Sequence, residues 1–241
     1  MLSNVSVVLV EPQGPMNVGM AARAMKNCAI TSLRLVAPVK YSPEKAHMMA
    51  CSAKDIVNSA DIFPNLSSAL EDTTCSFAFT RRLTKNRTPY YSLQEALPHM
   101  TRHAARGKTA LVFGRETDGL TRDELFRCDF RVYIPTSKKF GSLNLAQAVL
   151  LACHSLFMAS AEEHDMVPQD EFHADQTAVK PMLDNIARLL LEIGYTNASD
   201  VKLRRKIIQA LKEIFGRSGL RTKDVNMFHG LCTQVRKAIE N

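Results

Sequence analysis

The stretch of sequence that decides the fold is TALVFGRETDGL at residues 109–120. Its first half is short, apolar and rich in residues that favour β-strands, and a polar loop with two glycines follows at once. Loops at the carboxyl ends of parallel strands are where α/β proteins build their binding sites. The segment therefore predicts a buried parallel strand with a site directly after it.

Two further segments repeat this arrangement. On the amino-terminal side, NVGMAAR at residues 17–23 comes shortly after the apolar run Val5–Val10. On the carboxyl-terminal side, IPT at 134–136 and GSLNLA at 141–146 follow the apolar run Phe130–Tyr133. Short glycine patterns occur by chance in many chains, so each segment alone is a weak signal. Three of them after strand-like runs make a strong one.

The first 160 residues alternate strand-like and helix-like patterns, which is typical of βαβ units and a parallel sheet. The predicted strands cover residues 5–10, 33–37, 76–79, 109–113 and 130–134. The predicted helices cover residues 18–28, 43–49, 66–71, 92–103, 121–127 and 143–159. We therefore predict an α/β domain over residues 1–160.

The rest of the chain predicts a different kind of structure. Residues 161–176 are acidic and polar, contain Pro168 and lack periodicity, which favours a linker. Residues 177–241 carry apolar residues at helical spacing in three segments, at 179–193, 199–215 and 223–239. Gly194, Gly216 and Gly219 are predicted at the helix ends. The sequence thus predicts a small all-α carboxyl-terminal module.

The formal charge of +7 is unevenly distributed. Residues 1–160 have 19 Lys and Arg against 12 Asp and Glu, and residues 176–241 have 12 against six. Residues 162–175 between them carry six acidic residues and no Lys or Arg. Two basic regions joined by an acidic connector favour a polyanionic partner, nucleic acid above all. The alternative is an ordinary solvated surface of a basic protein.

Composition also argues against several classes of protein. No apolar run reaches the roughly 18 residues of a membrane span, and the first residues lack the basic region of a signal peptide, so we expect a cytoplasmic protein. The six cysteines are scattered without a CxxC pair or histidines at metal-ligand spacing. We expect them to be reduced and mostly buried, with no metal site.

Taken together, the three segments resemble the motifs of the SPOUT class of RNA methyltransferases. The resemblance runs from Met1 to about Ser160 and is to the TrmH/TrmJ-like tRNA ribose 2'-O-methyltransferases, in particular the TrmJ type. It implies a parallel sheet with flanking helices and a trefoil knot, S-adenosylmethionine as cofactor, and a homodimer that acts on tRNA. For the TrmJ type, the implied target is cytidine or uridine at position 32 of the anticodon loop.

The resemblance also implies roles for individual residues. The implied catalytic residues are Arg23, Asn17, Glu116, Ser142 and Asn144, and the implied cofactor-binding residues are Thr80, Arg81, Arg82, Gly114, Ile134, Gly141, Ser142 and Leu143. Because a guanidinium does not deprotonate readily, we interpret Arg23 as stabilising the developing alkoxide or an RNA phosphate rather than as a base. Arg81, Arg82 and Arg87 add positive charge near the expected RNA path.

The first two segments also carry expectations about local geometry. We expect Asn17 and Gly19 at the turn into a helix, with Arg23 pointing back toward the strand ends. The glycines at 114 and 119 are expected to let backbone approach a ligand. Arg115 and Glu116 are expected either to pair with each other or to place one of them against substrate.

The third segment leads into a predicted helix. Ser142 and Asn144 are expected to cap the helix at 143–159, which alone could explain both residues. That helix carries an apolar stripe at Leu145, Val149, Ala152 and Leu156. The stripe could form a dimer interface or face the chain's own sheet.

Other functions remain open at this point. The first alternative is a 2'-O-methyltransferase for another tRNA position or for ribosomal RNA, and the second is a non-catalytic RNA-binding protein with the same fold. A nucleotide-binding Rossmann enzyme has less support, since neither GxGxxG nor GxxxxGK[ST] follows the first strand.

Overall fold

The structure, a computed structural model, describes residues 1–39, 41–82, 89–162 and 174–240. Seven strands form one sheet in the order β3-β2-β1-β6-β4-β7-β5, and all the pairings are parallel. The strands are β1 (Val5–Val10), β2 (Ser32–Val36), β3 (Asp61–Phe63), β4 (Cys75–Phe79), β5 (Tyr91–Ser92), β6 (Thr109–Phe113) and β7 (Phe130–Tyr133). The predicted parallel α/β domain is confirmed.

Ten α-helices lie in the described part of the chain. Those of the α/β domain are α1 (Pro15–Asn27), α2 (Pro43–Ala50), α3 (Lys54–Asn58), α4 (Leu66–Ala69), α5 (Leu93–Arg106), α6 (Arg122–Arg127) and α7 (Leu145–Glu162). The carboxyl-terminal module contains α8 (Gln176–Glu192), α9 (Val201–Ser218) and α10 (Thr222–Glu240). None of the described helices combines the length and apolarity that a membrane span requires.

The five predicted strands are all present, but the strands β3 and β5 and the helix α3 were not predicted. The edge strands β3 and β5 have three and two residues, too few for an alternating pattern to be seen. The central strands β1, β4 and β6 are buried along their whole length, as the continuous apolar runs predicted. Helices α1, α2, α3, α5 and α7 cover one face of the sheet, and α4 and α6 cover the other.

The start of α1 differs from the expectation. Asn17 and Gly19 lie inside the helix, which begins at Pro15, because a proline with its fixed φ suits the first helical position. Gly19 instead permits α1 to cross α2 closely. A Cβ at this position would lie 2.0 Å from the carbonyl oxygen of Ala46, so no larger residue can be accommodated there.

The carboxyl-terminal module packs against the α/β domain through α9. Arg131 of β7 is buried, its guanidinium lies 5.0 Å from the ring centroid of Phe126, and its Nη2 is 3.7 Å from a carboxylate oxygen of Glu213 on α9. The prediction that a helix ends at Gly216 is wrong. Gly216 lies within α9, which ends at Ser218. Its lack of a side chain lets α9 approach β7, since a Cβ there would lie 2.8 Å from the Cβ of Asp129.

The apolar stripe of α7 faces the interior of its own chain. Leu145, Val149, Ala152 and Leu156 are all buried in the main core. The opposite face of α7 leaves other large apolar side chains exposed, namely Leu150, Leu151, Phe157 and Met158. Of the two alternatives for the stripe, the structure thus selects the one in which it packs within the chain.

The cysteines match their predicted state. All six thiols are free; Cys51 alone is exposed, and the other five are buried. Burial raises the pKa of Cys128 to about 12, so its thiol stays neutral and packs as a small apolar group.

Candidate active site

A cavity of about 510 Å³ opens where the neighbouring strands β4, β6 and β7 end. Three loops line it, at residues 79–82, 113–119 and 141–143, together with Ile134, Leu145 and Ala148. These loops meet because carboxyl ends of adjacent parallel strands lie at the same edge of a sheet. The cavity therefore gathers the second and third segments singled out in the sequence, together with the loop after β4.

All eight residues that the resemblance implied for cofactor binding line this cavity. They are Thr80, Arg81, Arg82, Gly114, Ile134, Gly141, Ser142 and Leu143. Of the five implied catalytic residues, Glu116 and Ser142 also line it. Arg87, expected near the RNA path, lies outside the described residues.

The cavity combines an apolar wall with a charged rim. Phe79 and Phe113 stack with their ring centroids 4.5 Å apart, and both are buried beneath the cavity surface. Arg82 and Asp118 are exposed at the rim, with 3.6 Å between Nη2 and a carboxylate oxygen. Such a volume and mixed lining are typical of a site for a nucleotide-sized small molecule.

The two glycines of the 113–119 loop close the loop on itself. A Cβ on Gly114 would lie 2.2 Å from the carbonyl carbon of Gly119, and Gly119 has a φ of 66°. The N–H of Gly119 donates to the carbonyl of Arg115 at 2.9 Å. The lack of a side chain at Gly114 thus lets the returning backbone of its own loop approach it, and the expected approach of a ligand stays a prediction.

Arg115 holds this loop by binding two carboxylates at once. Its Nε and Nη2 donate to Glu11 at 2.9 and 2.5 Å, and its Nη1 and Nη2 donate to Glu124 at 3.0 Å each. Glu11 follows β1 in the left-handed region, at φ 45°, which is uncommon for a residue with a Cβ. The pairing of Arg115 with Glu116, one of the expected arrangements, does not occur.

Glu116 instead caps the beginning of α1. Its carboxylate accepts from the backbone N–H of Gln13 at 2.9 Å, from that of Gly14 at 3.1 Å and from Nδ2 of Asn17 at 2.8 Å. Burial alone would raise the pKa of Glu116, but these hydrogen bonds outweigh burial and lower it. The carboxylate is thus ionised at neutral pH and lies at the positive end of a helix.

Asn144 caps α7 and joins the third segment to the first. Its Oδ1 accepts from the N–H of Ala146 at 2.9 Å, and its Nδ2 donates to Oδ1 of Asn17 at 3.1 Å. Since α7 begins at Leu145, Ser142 lies too early to act as its cap, contrary to expectation. Ser142 is exposed and contributes to the cavity wall instead.

Arg23 lies apart from this network. It is exposed, and its Nη1 is 3.5 Å from Sγ of Cys51. The prediction that it points toward the strand ends is wrong within the chain, because six residues along a helix rotate the side chain by about 120° from Asn17. Asn17 faces the loops, whereas Arg23 faces the corner after α2.

Sequence reasoning missed two residues of the site, Glu11 and Glu124. Glu124 ends the sequence Thr121-Arg-Asp-Glu, which has the pattern of a capping box, and the structure contains both reciprocal hydrogen bonds of that box. Its second role, as a partner of Arg115, had no local sequence signal. Glu11 lies 104 positions from Arg115, and only the adjacency of β1 and β6 brings them together.

Comparison with known proteins shows extensive similarity to RNA methyltransferases. The model of the SpoU rRNA Methylase family matches residues 4–154. The tRNA (cytidine/uridine/adenosine-2'-O-)-methyltransferase TrmJ of Pseudomonas aeruginosa (strain UCBPP-PA14) is 34% identical over 252 residues, which cover 98% of this chain and 95% of that protein. This similarity thus extends through the helical module.

Two solved structures share the architecture. TrmJ from Z. mobilis ZM4 aligns with a TM-score of 0.77 and 26% identity over 96% of this chain and 98% of its own. The SpoU methyltransferase AviRb from Streptomyces viridochromogenes, in complex with the cofactor AdoMet, aligns with a TM-score of 0.52 and 17% identity over 65% of this chain and 60% of its own. The second likeness concerns the fold alone.

Proposed function

The chain belongs to the SpoU rRNA methylase family, and we propose that it transfers a methyl group from S-adenosylmethionine to a ribose 2'-hydroxyl of tRNA. The observation that carries this proposal is the cavity at the ends of β4, β6 and β7, in a chain similar to TrmJ along nearly its whole length. The proposed target is cytidine or uridine at position 32, as the TrmJ type implies. Another tRNA position or ribosomal RNA is the alternative.

The cavity suits S-adenosylmethionine in size and chemistry. The apolar side chains of Ile134, Leu143 and Ala148 in its lining offer a surface for an adenine ring, and its loop backbones offer hydrogen-bonding groups. The residues that would hold the cofactor are the eight that the resemblance implies, all of which line the cavity: Thr80, Arg81, Arg82, Gly114, Ile134, Gly141, Ser142 and Leu143. When bound, S-adenosylmethionine supplies an electrophilic methyl group on a sulfonium. The trefoil knot implied for this region remains a prediction.

Methyl transfer requires an aligned hydroxyl and donor, and thus a rigid site. The network of Asn17, Glu116 and Asn144 ties the start of α1 to the other two segments. We assign these three residues a positioning role. Arg23 supplies positive charge for the oxygen that develops negative charge as its proton leaves.

The direct test is a methylation assay. We expect the purified protein with S-adenosylmethionine to convert unmodified tRNA transcripts to a product with one 2'-O-methylated nucleoside, identified by mass spectrometry after digestion. A tRNA whose ribose at position 32 is deoxy should remain unmodified. Methylation of that deoxy substrate would support another tRNA position, and transfer to ribosomal RNA alone would support a ribosomal RNA methyltransferase.

We propose that two copies form a homodimer through the exposed face of α7. Leu150, Leu151, Phe157 and Met158 lie on that face, and Met16 of α1 is exposed as well. Exposed apolar side chains on one helix face favour association. In such a dimer Arg23 of one copy would complete the cavity of the other, which accounts for its distance from the network of its own chain.

The dimer is tested by a charge on this face. We expect the wild type to have the mass of two chains by light scattering, and Leu151→Glu to have the mass of one, because a carboxylate is costly to bury in an apolar contact. Ile62→Glu, on the exposed edge strand β3, is the matched control and should remain dimeric. A wild type that is monomeric and fully active would refute the dimer.

We further propose that the carboxyl-terminal module raises the affinity for RNA. A groove of about 790 Å³ between this module and the α/β domain carries four basic residues, namely Arg127, Lys180, Arg188 and Lys212. Two acidic residues, Glu71 and Asp184, also line it. The basic cluster Lys202, Arg204, Arg205 and Lys206 lies on α9, the helix that also carries Lys212. Nη2 of Arg205 is 2.7 Å from a carboxylate oxygen of Asp123.

Charge reversal in the groove tests this role. Lys180→Glu with Arg188→Glu should weaken tRNA binding and make its salt dependence shallower, by roughly 0.9 for each phosphate that the variant no longer neutralises. Cofactor affinity should not change, since the groove lies away from the cavity loops. Arg102→Glu on α5 is the control. Unchanged tRNA affinity and salt dependence in the double variant would contradict the proposal.

A further inference from the structure

Phe140 is the most exposed large apolar side chain in the described part of the protein. Its exposed fraction is 81%, although Phe is a residue that proteins usually bury. A single exposed apolar residue is common and has no meaning by itself. The position of Phe140 points to a function, because the next three residues, Gly141, Ser142 and Leu143, line the cavity.

The loop that carries Phe140 is closed by its own hydrogen bonds. Oγ1 of Thr136 donates to the carbonyl of Gly141 at 3.1 Å, and the N–H of Lys139 donates to Oγ of Ser137 at 3.3 Å. A Cβ on Gly141 would lie 3.1 Å from Nε of Arg81, so this loop packs against the loop after β4. The aromatic ring is therefore presented to solvent at the edge of the cavity.

The loop that carries Phe140 and the loop that packs against it both bear cationic side chains. Lys138 and Lys139 precede it in the same loop and are exposed, and Arg81 and Arg82 are exposed on the facing loop. Asp118, which pairs with Arg82, contributes an acidic side chain to this rim. An exposed aromatic ring among cationic side chains is the combination with which proteins bind unstacked bases of single-stranded RNA.

We propose that Phe140 stacks on a nucleobase of the RNA loop, at or next to the nucleotide that is methylated. This inference rests on the proposed function and names a substrate contact for it. The neighbouring cations bind phosphates on either side, and the ring holds the base at the cavity mouth. A cofactor contact or a contact between two copies would be the competing uses of the same ring.

Substitution of Phe140 separates these uses. Phe140→Ala should weaken tRNA binding and raise KM for tRNA roughly tenfold, the loss typical of one stacked base. Phe140→Tyr should retain wild-type values, whereas Phe140→Leu should not, because stacking needs a ring. The affinity for S-adenosylmethionine, the melting temperature and the mass by light scattering should stay unchanged. Ile62→Ala, another exposed apolar side chain, is the control.

Fluorescence provides a direct readout, because the chain contains no tryptophan. Phe140→Trp should be active, and its emission should be quenched by tRNA with the dissociation constant of binding. Ile62→Trp should show no quenching.

The outcomes are distinguishable. If the wild type is active and Phe140→Ala binds and methylates tRNA equally well, the stacking proposal is wrong and the proposed function is unaffected. If that variant lost cofactor affinity, the ring would be a cofactor contact and the stacking proposal would be wrong. If it lost the dimer, the ring would be a contact between two copies and the stacking proposal would likewise be wrong. A wild type that neither binds nor methylates tRNA would overturn the proposed function and the stacking together.

Discussion

Arg23→Ala is expected to lower the turnover number on tRNA about 100-fold or more, the loss typical of removing one electrostatic donor from a transition state. The melting temperature and the affinity for S-adenosylmethionine should remain near wild-type values. Arg23 is exposed, outside the cavity wall, and its guanidinium contacts Cys51. Single-turnover methylation, calorimetry with the cofactor and thermal unfolding would measure the three quantities.

Two controls isolate the charge of Arg23. Cys51→Ser removes the thiol partner and should remain active, since that contact is not part of the reaction. Asn27→Ala changes another exposed residue of the same helix and should behave likewise. A fully active Arg23→Ala would show that this arginine has no chemical role, and α1 would then be assigned to RNA binding only.

Mixing two inactive variants tests whether Arg23 acts across the dimer. Leu143→Arg places a charge in the cavity wall and should abolish cofactor binding. A dimer of one Leu143→Arg chain and one Arg23→Ala chain would contain one intact cavity next to one intact Arg23. Random exchange between equal amounts makes about half of the dimers mixed, each with one of its two sites active, so about one quarter of the wild-type sites should be restored. Absence of any recovery would mean that Arg23 serves the cavity of its own chain.

Arg115→Met is expected to destabilise the protein by about 2–3 kcal/mol, because it leaves two carboxylates close together without their shared cation. The side chains of Arg115 and Glu124 are each 15% exposed, whereas Glu11 is 40% exposed, so solvent screens part of the effect. Cofactor affinity should fall too, since Arg115 holds the loop that lines the cavity. Urea unfolding and calorimetry would measure both changes.

The pH dependence of this effect has a definite sign. Burial alone would raise the pKa of Glu124, but the hydrogen bonds from Arg115 and from the N–H of Thr121 lower it below its ordinary value. The stabilisation is therefore complete above about pH 4.3 and is lost as pH falls through the lowered pKa. The difference in free energy of unfolding between wild type and Arg115→Met should be largest at neutral pH and shrink in acid.

A compensating variant provides the control. Adding Glu11→Gln and Glu124→Gln to Arg115→Met removes the repulsion between the carboxylates and should recover part of the lost stability. If Arg115→Met unfolds at the same urea concentration as wild type, the two ion pairs contribute nothing to the fold.

Much of the fold could be predicted from local patterns. The apolar runs at β1, β4 and β6 reveal strands buried on both faces, and the helical spacing after residue 176 reveals the module. Loops at the ends of parallel strands indicated where a cavity would form, and the cavity is there. The short edge strands were not predicted, because two or three residues are too few to show an alternating pattern of apolar and polar residues.

The sequence by itself determined the parallel α/β fold, the helical module and the set of loops that line the cavity. The reason is that the spacing of apolar residues that marks a strand or a helix can be recognised within a few neighbouring residues. Only the tertiary structure decided the partners of charged side chains. Arg115 binds Glu11 rather than the adjacent Glu116, and Arg23 faces Cys51 rather than the loops. The physical reason is that such contacts depend on which strands pair and how a helix is rotated, and these follow from packing of the whole chain.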